Sequence, residues 1–165
     1  MRAFRLAVPL FAALLLAPAQ LAAQEGSLMG PYPGVEYRSG PIHFCAGYVA
    51  IDVAADERVG WQRGPDFDLY YLQSSRGGFG LYQGNHPDRG GTAEPATVSG
   101  LPAERLREAE RGYSYLVQVP GPSIPTFVHL FGAAWQGDER DEALLARVRI
   151  GQPVSLGCER PTFAR

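Results

Sequence analysis

Residues 67–83 read FDLYYLQSSRGGFGLYQ. Two runs rich in aromatic and aliphatic side chains flank a short connection that contains Gly77 and Gly78. A short glycine-containing loop supplies the positive φ angles that a chain reversal needs. The stretch therefore predicts a β-hairpin, with one strand over residues 67–73 and the next over residues 79–83.

The first strand of this hairpin predicts a sheet with two different faces. Its side chains alternate between two sets, Phe67, Leu69 and Tyr71 on one side and Asp66, Asp68 and Tyr70 on the other. The first set is apolar or aromatic and the second is mostly polar. Antiparallel sheets commonly bury one face and expose the other, so we expect a core face and a wetter face.

Three further segments have the character of strands. Residues 42–53 are largely apolar on both alternating faces, which predicts a central strand that is covered on two sides. Residues 113–119 and 126–131 predict two more strands, joined by a link that contains three prolines. Residues 85–100 are rich in Gly and Pro and predict a loop.

Two segments predict helices. Residues 138–150 begin with acidic side chains and end with Arg147 and Arg149, an order that complements the helix dipole. The apolar side chains Leu144, Leu145 and Val148 form a stripe on this helix, and the stripe needs a partner surface. Residues 102–111 predict a second, short and charged helix, with Pro in its first turn and Gly just past its end.

Together these elements predict an α+β fold. We expect an antiparallel sheet of about five or six strands, with the C-terminal helix at 138–150 packed on one face. The alternative is a β-sandwich in which that helix caps an open end.

The N-terminus predicts export. Arg2 and Arg5 precede an apolar run, and small residues follow it, so residues 1–23 have the three-part pattern of a signal peptide. Cleavage is expected after Ala23 or, alternatively, after Ala19. We expect a Gly/Pro-rich arm over residues 24–41 and a single globular domain over residues 42–165. The mature protein is expected to be periplasmic or secreted, with no membrane span after signal cleavage.

Cys45 and Cys158 are the two cysteines of the chain. An even number of cysteines in an oxidising compartment favours pairing, so we predict a disulfide that joins the two ends of the domain. Two buried free thiols are the alternative.

Composition excludes several chemistries. The formal net charge of −2 provides no basic patch for nucleic acid. All the basic side chains other than histidine are Arg, so mechanisms that need a lysine are excluded. Neither a G-x-S-x-G elbow nor a G-x-G-x-x-G loop occurs. His43, His86 and His129 lack a second ligand at the spacing of a short metal motif, so we expect neither a metal nor a cofactor.

One loop is a candidate binding site. Asn85, His86, Asp88 and Arg89 place varied polar groups directly after a predicted strand, and binding residues often occupy such loops. The alternative is a turn in which Asn85 and Asp88 accept hydrogen bonds from their own backbone.

The leading functional hypothesis is a noncatalytic exported module. It would bind an envelope protein or a small extracellular ligand through an aromatic sheet face or through the loop at 84–91. The alternative is a small envelope hydrolase that acts on glycan or peptide. That enzyme would use Asp66 and Asp68, roughly 6–7 Å apart on one strand face, with a histidine brought near by folding.

Overall fold

The computed structural model describes residues 35–74, 77–108, 112–120, 126–132, 138–151 and 158–161. Within them the chain forms eleven strands and one helix. In chain order the elements are β1 (Glu36–Ser39), β2 (Ile42–Ala46), β3 (Val49–Val53), β4 (Glu57–Arg63), β5 (Phe67–Ser74), β6 (Gly77–Gly84), β7 (Thr92–Val98), β8 (Leu101–Glu108), β9 (Gly112–Val119), β10 (Thr126–Phe131), α1 (Asp138–Leu145) and β11 (Val148–Ile150).

The strands build two sheets. The large sheet has eight strands in the order β1-β4-β5-β6-β10-β9-β8-β7, and the small sheet has three in the order β11-β3-β2. Every pairing between these strands is antiparallel. The predicted hairpin at 67–83 is confirmed as β5 and β6, and it lies in the interior of the large sheet.

The hydrophobic core lies between the two sheets. Phe44 of the small sheet packs against two aromatic rings of the large sheet, with ring centroids 5.7 Å from Trp61 and 5.9 Å from Tyr70. All three side chains are almost fully buried. Valine and isoleucine side chains from β3 and β11 extend this layer. Burial of apolar surface between two facing sheets is therefore the main stabilising term of the fold.

The first passage of the chain between the sheets is a tight corner. It leaves β1 in the large sheet and enters β2 in the small sheet through Gly40 and Pro41. The backbone N–H of Gly40 donates to the carbonyl of Glu57, at 2.9 Å. A Cβ atom on residue 40 would lie 1.9 Å from the carbonyl oxygen of Ala54, so only glycine fits this close approach.

The predicted disulfide between Cys45 and Cys158 is confirmed. It fastens residues 158–161 to the edge of β2. The N–H of Cys45 donates to the carbonyl of Glu159 and the N–H of Glu159 donates to the carbonyl of His43, both at 2.8 Å. The cysteines are 113 residues apart, and closing a loop of that length stabilises a fold by about 4–5 kcal/mol in the chain-entropy model.

The predicted α+β fold is wrong. The described chain is mostly β-structure, and its one helix has eight residues. The predicted helix at 138–150 ends at Leu145, and its last three residues are the strand β11. In this strand Val148 and Ile150 are buried on either side of the exposed Arg149. This alternation lets β11 pair with β3 and bury both branched side chains. Neither expected arrangement therefore describes the two unequal sheets.

Three other segments also differ from their predictions. Residues 42–53 form the two strands β2 and β3, which pair with each other, rather than one central strand. The predicted helix at 102–111 is not formed, because residues up to Glu108 belong to the strand β8. This strand pairs with β7 on one side and with β9 on the other. The stretch 85–100 contains the edge strand β7. In each case the pairing of consecutive strands into a sheet outweighs the local sequence preference.

The predicted N-terminal segments lie wholly or partly outside the described residues. These are the signal peptide at 1–23 and the first part of the arm, residues 24–34. The described end of the arm contains β1, which pairs with β4. No helix in the described part of the chain has the length and apolar character that crossing a membrane requires.

The helix α1 is fixed by a buried carboxylate. Asp141 is 2% exposed and accepts a hydrogen bond of 2.7 Å from the hydroxyl of Tyr115. The guanidinium of Arg105 lies 3.6 Å from the same carboxylate oxygen and stacks over the ring of Tyr113. These polar contacts hold α1 against β8 and β9 of the large sheet.

We expect Asp141→Asn to lower the free energy of unfolding by about 3 kcal/mol, because the partly buried guanidinium of Arg105 loses the negative charge of a buried carboxylate. Glu142→Gln, at an exposed position of the same helix, should change it by about 0.5 kcal/mol or less. Urea denaturation followed by circular dichroism measures both. Equal effects of the two substitutions would contradict the role given to Asp141.

Candidate functional site

The outer face of the large sheet, turned away from the small sheet, carries a row of three side chains. Leu69 of β5 pairs with Tyr82 of β6, and Tyr82 pairs with His129 of β10. Side chains at paired positions stand side by side on one face. The row therefore brings an aliphatic, a phenolic and an imidazole side chain together from three adjacent strands.

The loop at 85–91 crosses this outer face. It connects β6 to β7, and the order of strands places β10, β9 and β8 between them. The path spans four strand spacings, or about 19 Å, which seven nearly extended residues can cover. The loop therefore runs over the sheet rather than projecting away from it.

Specific contacts fix the crossing loop. The backbone N–H of His86 donates to the hydroxyl of Tyr82 at 2.8 Å. The guanidinium of Arg89 lies 5.0 Å from the ring centre of Phe127 and 3.9 Å from a carboxylate oxygen of Glu104. Both ends of the loop are thus attached to side chains of the sheet beneath.

A pocket of about 340 Å³ lies between the loop and the sheet. The row Leu69, Tyr82 and His129 lines it, together with Phe131 and Gly132 at the end of β10 and with His86 and Asp88 from the loop. Apolar walls with a few polar groups are the usual composition of a small-molecule site, and this volume is near the lower limit for such sites. The pocket is therefore the candidate functional site.

His129 is the buried polar group of the pocket. It is 5% exposed, and its Nε2 lies 2.9 Å from the hydroxyl oxygen of Ser114, which is 1% exposed. The ring of Phe131 lies against it, with centroids 5.7 Å apart. A buried polar group that is held by a hydrogen bond keeps a fixed orientation, so the imidazole is a rigid part of the pocket wall.

The pocket accounts for part of the predicted binding loop. His86 and Asp88 line it, and the ring of His86 is 82% exposed. Arg89 instead packs on Phe127, and Asn85 lies in a shallow depression beside Asp66 and Asp68. Oδ1 of Asp88 accepts a hydrogen bond of 3.0 Å from the N–H of Gly90, so this carboxylate both shapes the turn and borders the pocket.

The two acids of the hydrolase hypothesis are differently placed. Asp68 forms an ion pair with Arg63, with Nε and Oδ1 2.8 Å apart. Asp66 lies 3.9 Å from the imidazole Nε2 of His86, which is beyond hydrogen-bond distance. Burial raises the pKa of Tyr70, and the negative charge of the nearby Asp68 carboxylate raises it further.

Comparison with models of protein families, with curated proteins and with solved structures finds no match to this chain.

His43, the third histidine, lies on the small sheet. Its Nδ1 is 2.6 Å from Oδ1 of Asp52, the residue paired with it on β3. Nη2 of Arg149 on β11 lies 3.0 Å from the same carboxylate oxygen. Burial by itself would raise the pKa of Asp52, but hydrogen bonds from His43 and Arg149 outweigh it and hold that pKa below its usual value.

A larger depression of about 670 Å³ lies where the end of β7 meets β11 and α1. Its walls include Val98, Leu145 and Ile150, and its charged side chains are Glu142 and Arg149. The hydroxyl of Ser99 bridges the strand ends here, donating to the carbonyl of Val148 and accepting from the N–H of Ile150. This depression lies at the seam between the two sheets, because β7 belongs to the large sheet and β11 to the small one. None of the predicted site residues lines it.

Among the described residues, one group of side chains has ligand atoms close enough together for a metal ion: His43, Cys45 and Cys158. The sequence did not predict this group, because His43 and Cys158 are distant along the chain. The pocket residues Leu69, His129 and Phe131 were also missed as site residues. The alternation of side chains along β5 and β10 predicts that each of these residues lies on one face of its strand. The sequence does not show that the loop at 85–91 covers that face.

A substitution at Gly80 tests the packing of the pocket wall. A Cβ atom at this position would lie 2.4 Å from Cζ of Phe131, so we expect Gly80→Ala to displace that ring and to reshape the pocket. The added methyl group should also cost about 1–3 kcal/mol of stability through overpacking. The NMR shifts of Phe131 and His129 measure the displacement.

Gly90→Ala is the matched control. A Cβ there would meet only Oδ1 of Asp88, at 3.5 Å, so Phe131 and His129 should keep their shifts. Unchanged shifts in Gly80→Ala would contradict the packing described for the pocket wall.

Proposed function

We propose that this chain is an exported, noncatalytic binding module that holds a small ring-shaped ligand in the pocket on the outer face of the large sheet. The observation that carries the proposal is the convergence of His86, Asp88 and His129 on one pocket with apolar walls. These three residues come from a loop and a strand more than forty positions apart along the chain.

The pocket favours a ligand with one flat or cyclic face. Tyr82 and Phe131 provide aromatic surface, and Leu69 provides an aliphatic contact. Rings bind well to such surfaces because stacking removes apolar area from water. The carboxylate of Asp88 accepts hydrogen bonds, so we expect hydroxyl or amino groups on the ligand. A single sugar ring, or an aromatic ring that carries such groups, has this chemistry.

The disulfide supports the compartment in this proposal. Disulfides persist in oxidising environments, which include the periplasm and the extracellular space. The predicted signal peptide at 1–23 points the same way. The expected partner is accordingly a small extracellular ligand, and binding to an envelope protein through the same face is the other form of the hypothesis.

Binding is favoured over hydrolysis by the distances around the acids. A glycosidase needs one carboxylate as acid and a second as base or nucleophile. Arg63 is paired with Asp68, and Asp66 makes no hydrogen bond to His86 at 3.9 Å. Asp66 and Asp68 also line the shallow depression beside Asn85 rather than the pocket.

The test is a panel of monosaccharides, aromatic amines and nucleosides, screened by saturation-transfer NMR. We expect at least one ring compound to bind and to shift the amide signals of Leu69, Tyr82 and His129. Leu69→Arg should then weaken binding about tenfold or more, because it places a long charged side chain in an apolar wall.

Gln118→Arg is the matched control, since Gln118 is exposed on the same face and does not line the pocket. It should bind with the affinity of the wild type. Shifts that map to the seam between the sheets, or an absence of binding across the panel, would contradict the proposal. Turnover of a glycan or peptide would favour the hydrolase instead.

A further inference from the structure

The disulfide has a histidine beside it. One ring nitrogen of His43 and the sulfur atoms of Cys45 and Cys158 all lie within 4.8 Å of one another. We propose that, when this disulfide is reduced, these three side chains bind a thiophilic divalent cation of the zinc class. The site is at the edge of the small sheet, and the inference does not depend on the pocket.

The chemistry balances in two steps. A thiol reductant opens the bond between Cys45 and Cys158, giving two protein thiols, and is itself oxidised to a disulfide. Binding of the cation then releases both thiol protons to solvent, because thiolates are the ligands. Two thiolates neutralise the charge of the cation. Two Cys and one His leave a fourth tetrahedral position for water.

Asp52 places the histidine as a metal ligand requires. Histidines that bind metals usually give the proton of their other ring nitrogen to a carboxylate, which fixes the tautomer and the ring orientation. Nδ1 of His43 lies 2.6 Å from Oδ1 of Asp52. Nη2 of Arg149 lies 3.0 Å from the same carboxylate oxygen and 3.0 Å from Nδ1 itself, so it contacts both members of this pair. Asp52 is therefore a positioning residue. Nε2, which lies 3.5 Å from Nη2 of Arg149, is the nitrogen that we assign to the cation.

The backbone keeps the two sulfurs near each other without the covalent bond. Two hydrogen bonds of 2.8 Å join the segment that carries Cys158 to the edge of β2, next to Cys45. An ion pair between Arg38 and Glu159 adds a further contact. Two thiolates on one zinc ion stand roughly 3.8 Å apart, which cysteines with Cα atoms 5.6 Å apart can reach.

A bound cation would close the same loop that the disulfide closes. Both connections join position 45 to position 158, so both restrict the unfolded chain. The reduced protein should therefore lose thermal stability and regain it with metal. This gives the proposed site a structural effect that can be measured without knowing the ligand of the pocket.

The experiment uses the full chain, reduced under nitrogen with a water-soluble phosphine. The phosphine takes the oxygen of one water molecule, both sulfurs are protonated, and no competing thiol remains. We expect Co²⁺ to bind one to one with a thiolate charge-transfer band, and Zn²⁺ to raise the Tm of the reduced protein. Asp52→Asn should weaken Zn²⁺ binding about 10–100-fold.

His43→Ala should lose the rise in Tm with Zn²⁺, while its oxidised form keeps a folded spectrum because the disulfide remains. His86→Ala, which removes an exposed histidine of the crossing loop, should behave as the wild type. The proposal is overturned if reduced wild-type protein gives no charge-transfer band. It is equally overturned if His43→Ala binds Co²⁺ as tightly as the wild type.

Discussion

The contact of Phe44 with Trp61 and Tyr70 underlies the arrangement of the two sheets. It joins the small sheet to the large sheet through three buried aromatic rings. Without a partner, each sheet would expose an apolar face to water, and neither sheet would be stable alone. The close passage at Gly40 and the bridge at Ser99 then fix how the edges of the two sheets meet.

Because the inner face of the large sheet is filled by this core, the outer face is available for another use. The crossing loop at 85–91 covers part of it and leaves a pocket beside β5, β6 and β10. Side chains on the sheet are held in precise positions because the sheet is rigid. Side chains on the loop can adjust their positions, because loops are more mobile than the elements they connect. His129, held by Ser114, is of the first kind, and the exposed His86 is of the second.

The small sheet uses its polar residues differently. His43, Asp52 and Arg149 come from its three strands and form one hydrogen-bonded group on the side that faces solvent. Such exposed pairs contribute little to stability. Their position beside the disulfide is what gives them chemical interest, since an imidazole oriented by a carboxylate is a good ligand.

Local patterns in the sequence were sufficient for several strands. The hairpin of β5 and β6 follows from two runs of strand-forming residues around Gly77 and Gly78, and β9 and β10 follow from similar runs. The disulfide followed from counting cysteines in a chain that carries the pattern of a signal peptide. The strands depend on residues that are close together in the sequence, and the disulfide prediction depended on the number of cysteines.

Tertiary structure decided which face of each strand became the core. The sequence predicted that the strand face with Asp68 and Tyr70 would be exposed to solvent. Tyr70 is instead in the core. The polar Asp68 is compatible with this face because it lies near the end of the strand, where it pairs with Arg63. The residues at 102–108 and 148–150 carry helix-like charge patterns, and pairing with β9 and β3 made them strands.

The pocket is likewise a product of long-range pairing. Local sequence patterns were sufficient to predict the hairpin, the cysteine pair and the polar loop at 85–89. Only the folded chain decided that β7 would pair at the far edge of the large sheet, so that this loop must cross over β10 and come to lie above His129. Strand order depends on contacts between distant residues, and the burial that drives it is a property of the whole chain.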